Sequence, residues 1–222
     1  MTGQTHAGAR RDYLPAMGRH WLLPLYDPFT RLAGVGRIYR QLLDRAHLTD
    51  GADSRRILEI GCGTGNLLTT LGRRRPELAT VGIDPDPAAL RKARRKAARR
   101  GLQIRYEQAF ADELPVADAS FDRVLSSFML HHLEEDERLR TLREVRRVLR
   151  PGGELHVVDV DGTPSGHNRR HQHPRVAGSR PELVLAALRE AGLAEVAENG
   201  RHQARFGGYV FYRATRPDGE PA

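Results

Sequence analysis

An α/β fold, with a mostly parallel sheet covered by helices on both faces, is predicted by three observations. Strand-like and helix-like segments alternate from about residue 55 onward. The first strand candidate runs straight into a glycine-rich turn, Gly61-Cys62-Gly63-Thr64-Gly65, which opens a helix. The second strand candidate ends on an acid, Asp84, nineteen residues after Gly65. At 222 residues the chain has room for one such doubly wound domain and a terminal extension.

Each element follows from its own pattern. Residues 56–60 are a short apolar run ending in glycines, a strand. Residues 66–75 carry Leu67, Leu68 and Leu71 at helical spacing and stop at Pro76. Residues 80–84 read as the second strand and 87–100 as the second helix, with Pro87 in its first turn and Gly101 at its end. Residues 103–107 are a weak third strand and 121–127 a fourth. Residues 134–150 form a long helix with Leu139, Leu142, Val145 and Leu149 on one face. Its acids lie at the start and its arginines at the end, as the helix dipole prefers. Pro151-Gly152-Gly153 ends it, and 154–160 is the fifth strand. A helix over 181–191, closed by Gly192, leads to final strands at 195–198 and 208–214. Two segments stand outside this alternation. Residues 1–50 read as an N-terminal helical cap carrying Trp21, Tyr26, Phe29 and Tyr39, and residues 161–180, rich in His, Arg, Gly and Pro, as a mobile loop. The domain itself is expected over 51–216, with a disordered tail at 217–222.

Composition narrows the partners. Hydrophobic residues are 39% and charged residues 29%, ordinary for a globular chain, and no apolar run reaches the length of a bilayer span. The N-terminus lacks the basic-then-apolar layout of a secretory signal. The single cysteine, Cys62, has no partner for a disulfide within the chain, which fits a cytoplasmic protein. A net charge of +8 favours an anionic partner. Only Lys92 and Lys96 of the 36 basic residues are lysine, however, a bias that coding composition explains as readily as selection for a polyanion. The basic stretch 91–100 sets its cations against Leu90, Ala93 and Ala97 and reads first as a solvated helix face. Nucleic acid is the less favoured partner, since no aromatics interleave with the charges. His167, His171 and His173 have no accompanying cysteine and sit in the loop, so no metal is expected.

In an open parallel sheet, ligands bind beyond the carboxyl ends of the strands, near the point where strand order reverses. The glycines of the first turn let the backbone approach a ligand closely, and the next helix presents free N–H groups. Asp84 ends the neighbouring strand, where a carboxylate accepts hydrogen bonds from both hydroxyls of a ribose. A nucleoside site is therefore expected. A dinucleotide fingerprint wants Gly or Ala where Asn66 stands, and it tends to lack an acid such as Glu59 directly before the turn.

The successive motifs Ile57-Leu-Glu-Ile-Gly-Cys-Gly-Thr-Gly65, Val81-Gly-Ile-Asp84, Leu114-Pro115, Ala119-Ser-Phe-Asp122, Ser127-Phe-Met-Leu-His-His132 and Leu149-Arg-Pro-Gly-Gly153 resemble, in order, those of class I methyltransferases. The resemblance runs over about residues 20–215 and is nearest to the small-molecule group that includes the ubiquinone and menaquinone biosynthesis enzymes. It implies a Rossmann-like sheet of seven strands with the last antiparallel, and S-adenosylmethionine as cofactor. It also implies that Glu59, Gly61, Cys62, Gly63, Thr64 and Gly65 shape the methionine end, that Asp84 and Pro85 hold the ribose, and that Ser127 lines the methionine side. Phe110 stands where the family commonly has an Asp that binds the adenine amino group. Phe110 is expected to cover the ring, with Ala111 supplying backbone contacts and Asp112 or Glu113 replacing the acceptor.

The implied reaction is in-line methyl transfer to a small-molecule acceptor by a monomer or homodimer. An RNA acceptor, or a non-catalytic scaffold that only binds the cofactor, are the alternatives. A methyl sulfonium is already activated, so a general base is needed only for a hydroxyl or acidic carbon acceptor. His131, with His132 beside it, and Tyr26 in the cap are the candidates. Helix capping and packing explain the histidine pair equally well.

Overall fold

The computed structural model describes residues 35–49, 55–163, 176, 178–204 and 207–219. Trp21, Tyr26, Phe29, the three loop histidines and most of the expected cap lie outside the described residues. In chain order the elements are α1 (Val35–Arg45), β1 (Arg56–Ile60), α2 (Asn66–Gly72), β2 (Ala79–Asp84), α3 (Pro87–Ala98), β3 (Ile104–Gln108) and β4 (Phe121–Ser127). A 3-10 turn (Leu130–His132), α4 (Glu135–Val148), β5 (Leu149–Val160), α5 (Pro181–Glu190), β6 (Ala194–Ala204) and β7 (Gly207–Thr215) complete them.

The seven strands form one sheet in the order β3-β2-β1-β4-β5-β7-β6. All neighbouring pairs are parallel except those made by β7, which runs antiparallel to both β5 and β6. β1 is central and covered on both faces, which is why Ile57, Leu58 and Ile60 are all buried and no polar alternation shows. One hydrophobic cluster joins Leu58, Ile60 and Val124 to Leu142 and Val145 of α4 and Leu188 of α5. The other joins Ile57 and Leu125 to Leu67 and Leu71 of α2, Leu90 and Ala93 of α3, and Ile38, Tyr39, Leu42 and Leu43 of α1. Strand order reverses between β1 and β4, so their carboxyl ends frame the crevice where such sheets hold ligands. No helix among the described residues is long and apolar enough to cross a membrane.

Several boundaries differ from the sequence reading, each for a physical reason. α2 ends at Gly72 rather than at residue 75, where Arg75 turns back to bond Leu71 O. The buried stripe of α4 is Arg138, Thr141, Leu142, Val145 and Val148, so two polar residues face inward while Leu139 sits at the margin. Leu149 and the Pro-Gly-Gly segment belong to β5 instead of the helix and a loop. Arg216 exchanges backbone hydrogen bonds with Gly152 and Gly153 and caps Leu149 O through its guanidinium. β6 spans Ala194–Ala204, well beyond residues 195–198, because a sheet-edge strand carries polar residues without an apolar signature.

Candidate active site

The site begins where β1 hands over to α2. Gly61, Gly63 and Gly65 all have positive φ, at 66°, 51° and 74°, a left-handed backbone that costs other residues roughly 1–2 kcal/mol. Space separates two of these positions. A Cβ on Gly65 would lie 3.0 Å from Ala93 Cβ and within clashing distance of the Tyr106 hydroxyl, so this glycine is required by packing. A Cβ on Gly63 would meet nothing within 4 Å, so here the backbone borders open space.

Asp84, at the end of β2, is tied to that turn. Its Oδ2 accepts the Gly63 N–H at 2.7 Å and its Oδ1 the Asp86 N–H at 2.9 Å. A carboxylate offers about four lone-pair sites, so one remains on each oxygen, the number a ribose diol needs. Burial pushes the Asp84 carboxyl up to about 6 although both backbone hydrogen bonds oppose it. Asp86 accepts the Ala88 N–H at 2.7 Å and so caps α3, with Pro87 at the first helical position. Pro85 lies between the two acids, half-buried, and its carbonyl accepts from Gln108 Nε2 at 3.2 Å.

Across the switch point, Glu59 of β1 is fully enclosed. Its Oε1 accepts from Ser127 Oγ of β4 at 3.2 Å, while Oε2 is buried with no hydrogen-bond partner among the described residues. Burial raises its carboxyl well above the usual range, the Ser127 hydrogen bond opposing. An orphaned buried carboxyl oxygen normally marks a missing partner, and the ammonium of a methionine moiety has that chemistry. Cys62 is buried beside it, and burial, with Glu59 and Asp84 adding to the effect, raises its thiol. That is the setting of an inert packing residue rather than a nucleophile. Thr64 is buried, and its hydroxyl lies 3.3 Å from Lys96 Nζ of α3.

At the far end, Phe110 and Ala111 are half-buried just past β3. The Asp112 side chain is 3% exposed and accepts from Arg140 Nε of α4 at 3.2 Å. The cations of α3 are partly employed within the protein: Arg94 binds Tyr106 O at 2.6 Å and Lys96 binds Asn66 Oδ1 at 2.5 Å.

Beyond β4 the chain makes a strained exit. Phe128 has φ 53°, unusual for a bulky residue and concentrated at functional sites when it occurs. The 3-10 turn then delivers His131 to the end of β5. His131 Nδ1 lies 2.6 Å from Asp159 Oδ1, and its backbone N–H donates to Asp159 Oδ2 at 2.9 Å. The His132 ring lies against that of His131, 4.0 Å between centroids and tilted by 40°. Asp159 is absent from the sequence-based candidates. The signal available was an acid inside the apolar run Val157-Val158-Asp159-Val160, which a buried strand tolerates only when the charge has partners. The structure thus brings Glu59, the glycines, Cys62, Thr64, Asp84, Pro85 and Ser127 to one crevice, sets Phe110, Ala111 and Asp112 at its β3 end, and places His131 on its β5 side. Tyr26 lies outside the described residues.

Residues 57–153 match the sequence profile of the methyltransferase domain. A demethylmenaquinone methyltransferase of Thermus thermophilus is 37% identical over 145 residues, which are 65% of this chain and 65% of that protein. A 27-O-demethylrifamycin SV methyltransferase of Amycolatopsis mediterranei is 34% identical over 148 residues, 62% of this chain and 53% of the relative. The chain therefore spans less than two thirds of the length of either relative. The crystal structure of a SAM-dependent methyltransferase from Aquifex aeolicus shares the fold, with a TM-score of 0.66 at 21% identity over 86% of this chain and 97% of that one.

Proposed function

We propose that this chain, whose residues 57–153 match the methyltransferase domain profile, transfers the methyl group of S-adenosylmethionine to a small-molecule acceptor. The observation that carries the reading is Asp84: a buried carboxylate, oriented by the Gly63 and Asp86 N–H groups, with one lone pair left on each oxygen beside the open face of Gly63. Asp84 holds the ribose hydroxyls, with Pro85 beside it. Glu59, through its unpartnered Oε2, receives the ammonium of the methionine end, and Ser127 keeps Glu59 in place. Gly61, Cys62, Thr64 and Gly65 supply the shape of the turn, and Phe110, Ala111 and Asp112 enclose the adenine end. When bound, the cofactor supplies a methyl group activated by its sulfonium, which leaves as a neutral thioether. The protein's task is then to align the acceptor and exclude water. Both relatives carry small-molecule names, which supports that acceptor class. The chain works as a monomer or a homodimer. A buried lone thiol fits the cytoplasm.

Calorimetry with S-adenosylhomocysteine tests the reading. One site per chain is expected, weakened about tenfold or more by Asp84→Ala as a charge-assisted pair is lost. Folded protein that shows no binding would remove the proposal.

A further inference from the structure

We propose that the helical layer formed by α1, α2 and α3 is a docking face for a bilayer carrying anionic phospholipid headgroups. Such docking is independent of the methyl-transfer reading above, since it sets where the chain sits and not what its crevice binds.

The sheet divides the cations unequally. α3 and the two arginines that follow it hold seven cations and no acid between Pro87 and Arg100. α1 carries Arg37, Arg40 and Arg45 against Asp44 alone, and the turn after α2 carries Arg73, Arg74 and Arg75 against Glu77 alone. These helices pack side by side on one face of the sheet, α1 on α2 and α2 on α3. On the other face α4 has five arginines against four acids and α5 one against two, so that layer is neutral. Coding composition explains why the cations are arginine. It does not explain why one layer holds them in excess.

Their use within the fold differs as well. On α4, Arg138 binds Gly178 O, Arg140 binds Asp112, Arg146 binds Gly192 O and Arg147 binds Glu144. On the basic layer, Arg37, Arg40, Arg73, Arg91, Arg95 and Arg99 are exposed and have no hydrogen bond or ion pair among the described residues. Arg91, Arg95 and Arg99 recur every four residues and so line one edge of α3 about 6 Å apart, and α1 stands two helix spacings away, about 20 Å. A solvated helix face usually interleaves both signs, as α4 does. The chain does not supply the missing anions itself. Residues 1–34 hold four arginines against two aspartates, and the helical layers of a second copy are either equally basic or neutral. The cations spread across a layer rather than along one track, which matches a charged plane. Tyr39, the one aromatic residue of α1, α2 and α3, is buried, so no ring is offered for a nucleic-acid base to stack on. The one exposed large apolar side chain among the described residues is Leu183, on α5. Nothing described on the basic layer inserts into lipid, and attachment is therefore electrostatic and reversed by salt.

Vesicle flotation with full-length protein tests the face. Phosphatidylcholine vesicles with a one-third share of phosphatidylglycerol should carry the protein at low ionic strength and release it as salt is raised, whereas pure phosphatidylcholine vesicles should not carry it. Arg91→Gln combined with Arg95→Gln should weaken the binding about fivefold for each charge removed. Arg143→Gln combined with Arg189→Gln, two exposed arginines of the neutral layer, should change it by less than about twofold. Thermal denaturation checks that both double variants fold as the parent does. Equal losses in the two variants would mean that net charge rather than this layer drives binding, and would overturn the proposal. So would equal binding to the uncharged vesicles, or no binding to either kind at low salt. Duplex RNA that strips the protein from the vesicles at equal phosphate concentration and physiological salt would make the layer a nucleic-acid surface and overturn it too.

Discussion

Asp84 shows how one residue carries opposite demands. It accepts two backbone hydrogen bonds, yet burial outweighs both and holds its carboxyl at about 6. Folded protein thus binds this proton more tightly than the unfolded chain, where the group titrates near 3.8. The stability this confers is full below that lower value and is lost as pH rises through about 6. Ribose hydroxyls donate to the ionised form, so cofactor affinity runs the other way. Affinity for S-adenosylhomocysteine should fall about tenfold per pH unit below about 6, and Asp84→Asn should weaken binding while flattening that slope. Calorimetry across pH 5 to 7.5 checks it; a parent affinity constant over that range removes Asp84 from the ribose contact. Asp84 is legible in the sequence because its distance from the glycine turn is set by one helix and one strand. Asp159 is not, since no local spacing links it to His131, 28 residues earlier; only the folded sheet joins them.

The turn from β1 to α2 is the element where sequence and structure agree most closely, but its glycines are not equivalent. Gly65→Ala drives a Cβ into Ala93 and the Tyr106 hydroxyl at positive φ, and should cost about 1–3 kcal/mol of stability. Gly63→Ala pays only backbone strain, about 1 kcal/mol, because its Cβ enters open space. Its larger effect should be on S-adenosylhomocysteine affinity, where the new methyl occupies the ligand's side of the turn. Thermal denaturation and calorimetry on both variants separate the roles. If Gly63→Ala binds as tightly as the parent, the open space is not the cofactor's. Elements with a two-sided apolar pattern, such as β1 and β4, are readable to the residue. β6 is not: Glu195, Glu198 and Arg201 give it no apolar alternation, and its length is set by pairing with β7.

At the scale of the whole molecule, the charge total hides where charges are spent. Arg123 of β4, Glu154 and His156 of β5 and Arg213 of β7 meet across three adjacent strands, a cluster that depends on register and so cannot be seen in the chain. Glu154 accepts from His156 Nε2 at 2.9 Å, from Arg213 at 2.7 Å and lies 3.0 Å from Arg123 Nε; with the His156 hydrogen bond as the largest cause, it is held at about 2. His156 is pulled the other way. Its side chain is 1% exposed and its Nδ1 is buried without a hydrogen-bond partner among the described residues. Burial lowers its pKa below 6.5 although the Glu154 hydrogen bond opposes this, and the two neighbouring guanidiniums lower it further. An unfolded chain therefore takes up this proton before the folded one, and stability is lost as pH falls below 6.5 toward the folded value. Glu154 loses its own contribution only as pH falls below 4.5, so between the two limits the histidine can be isolated. His156→Gln keeps an N–H donor for Glu154 and removes the titration. Urea denaturation at pH 7.5 and pH 5 should show the parent losing more stability than His156→Gln over that interval. The contribution of Asp84, opposite in sign, is common to both proteins and cancels. Equal losses would mean that His156 accepts its proton in the folded state, with Glu154 rather than burial deciding its charge.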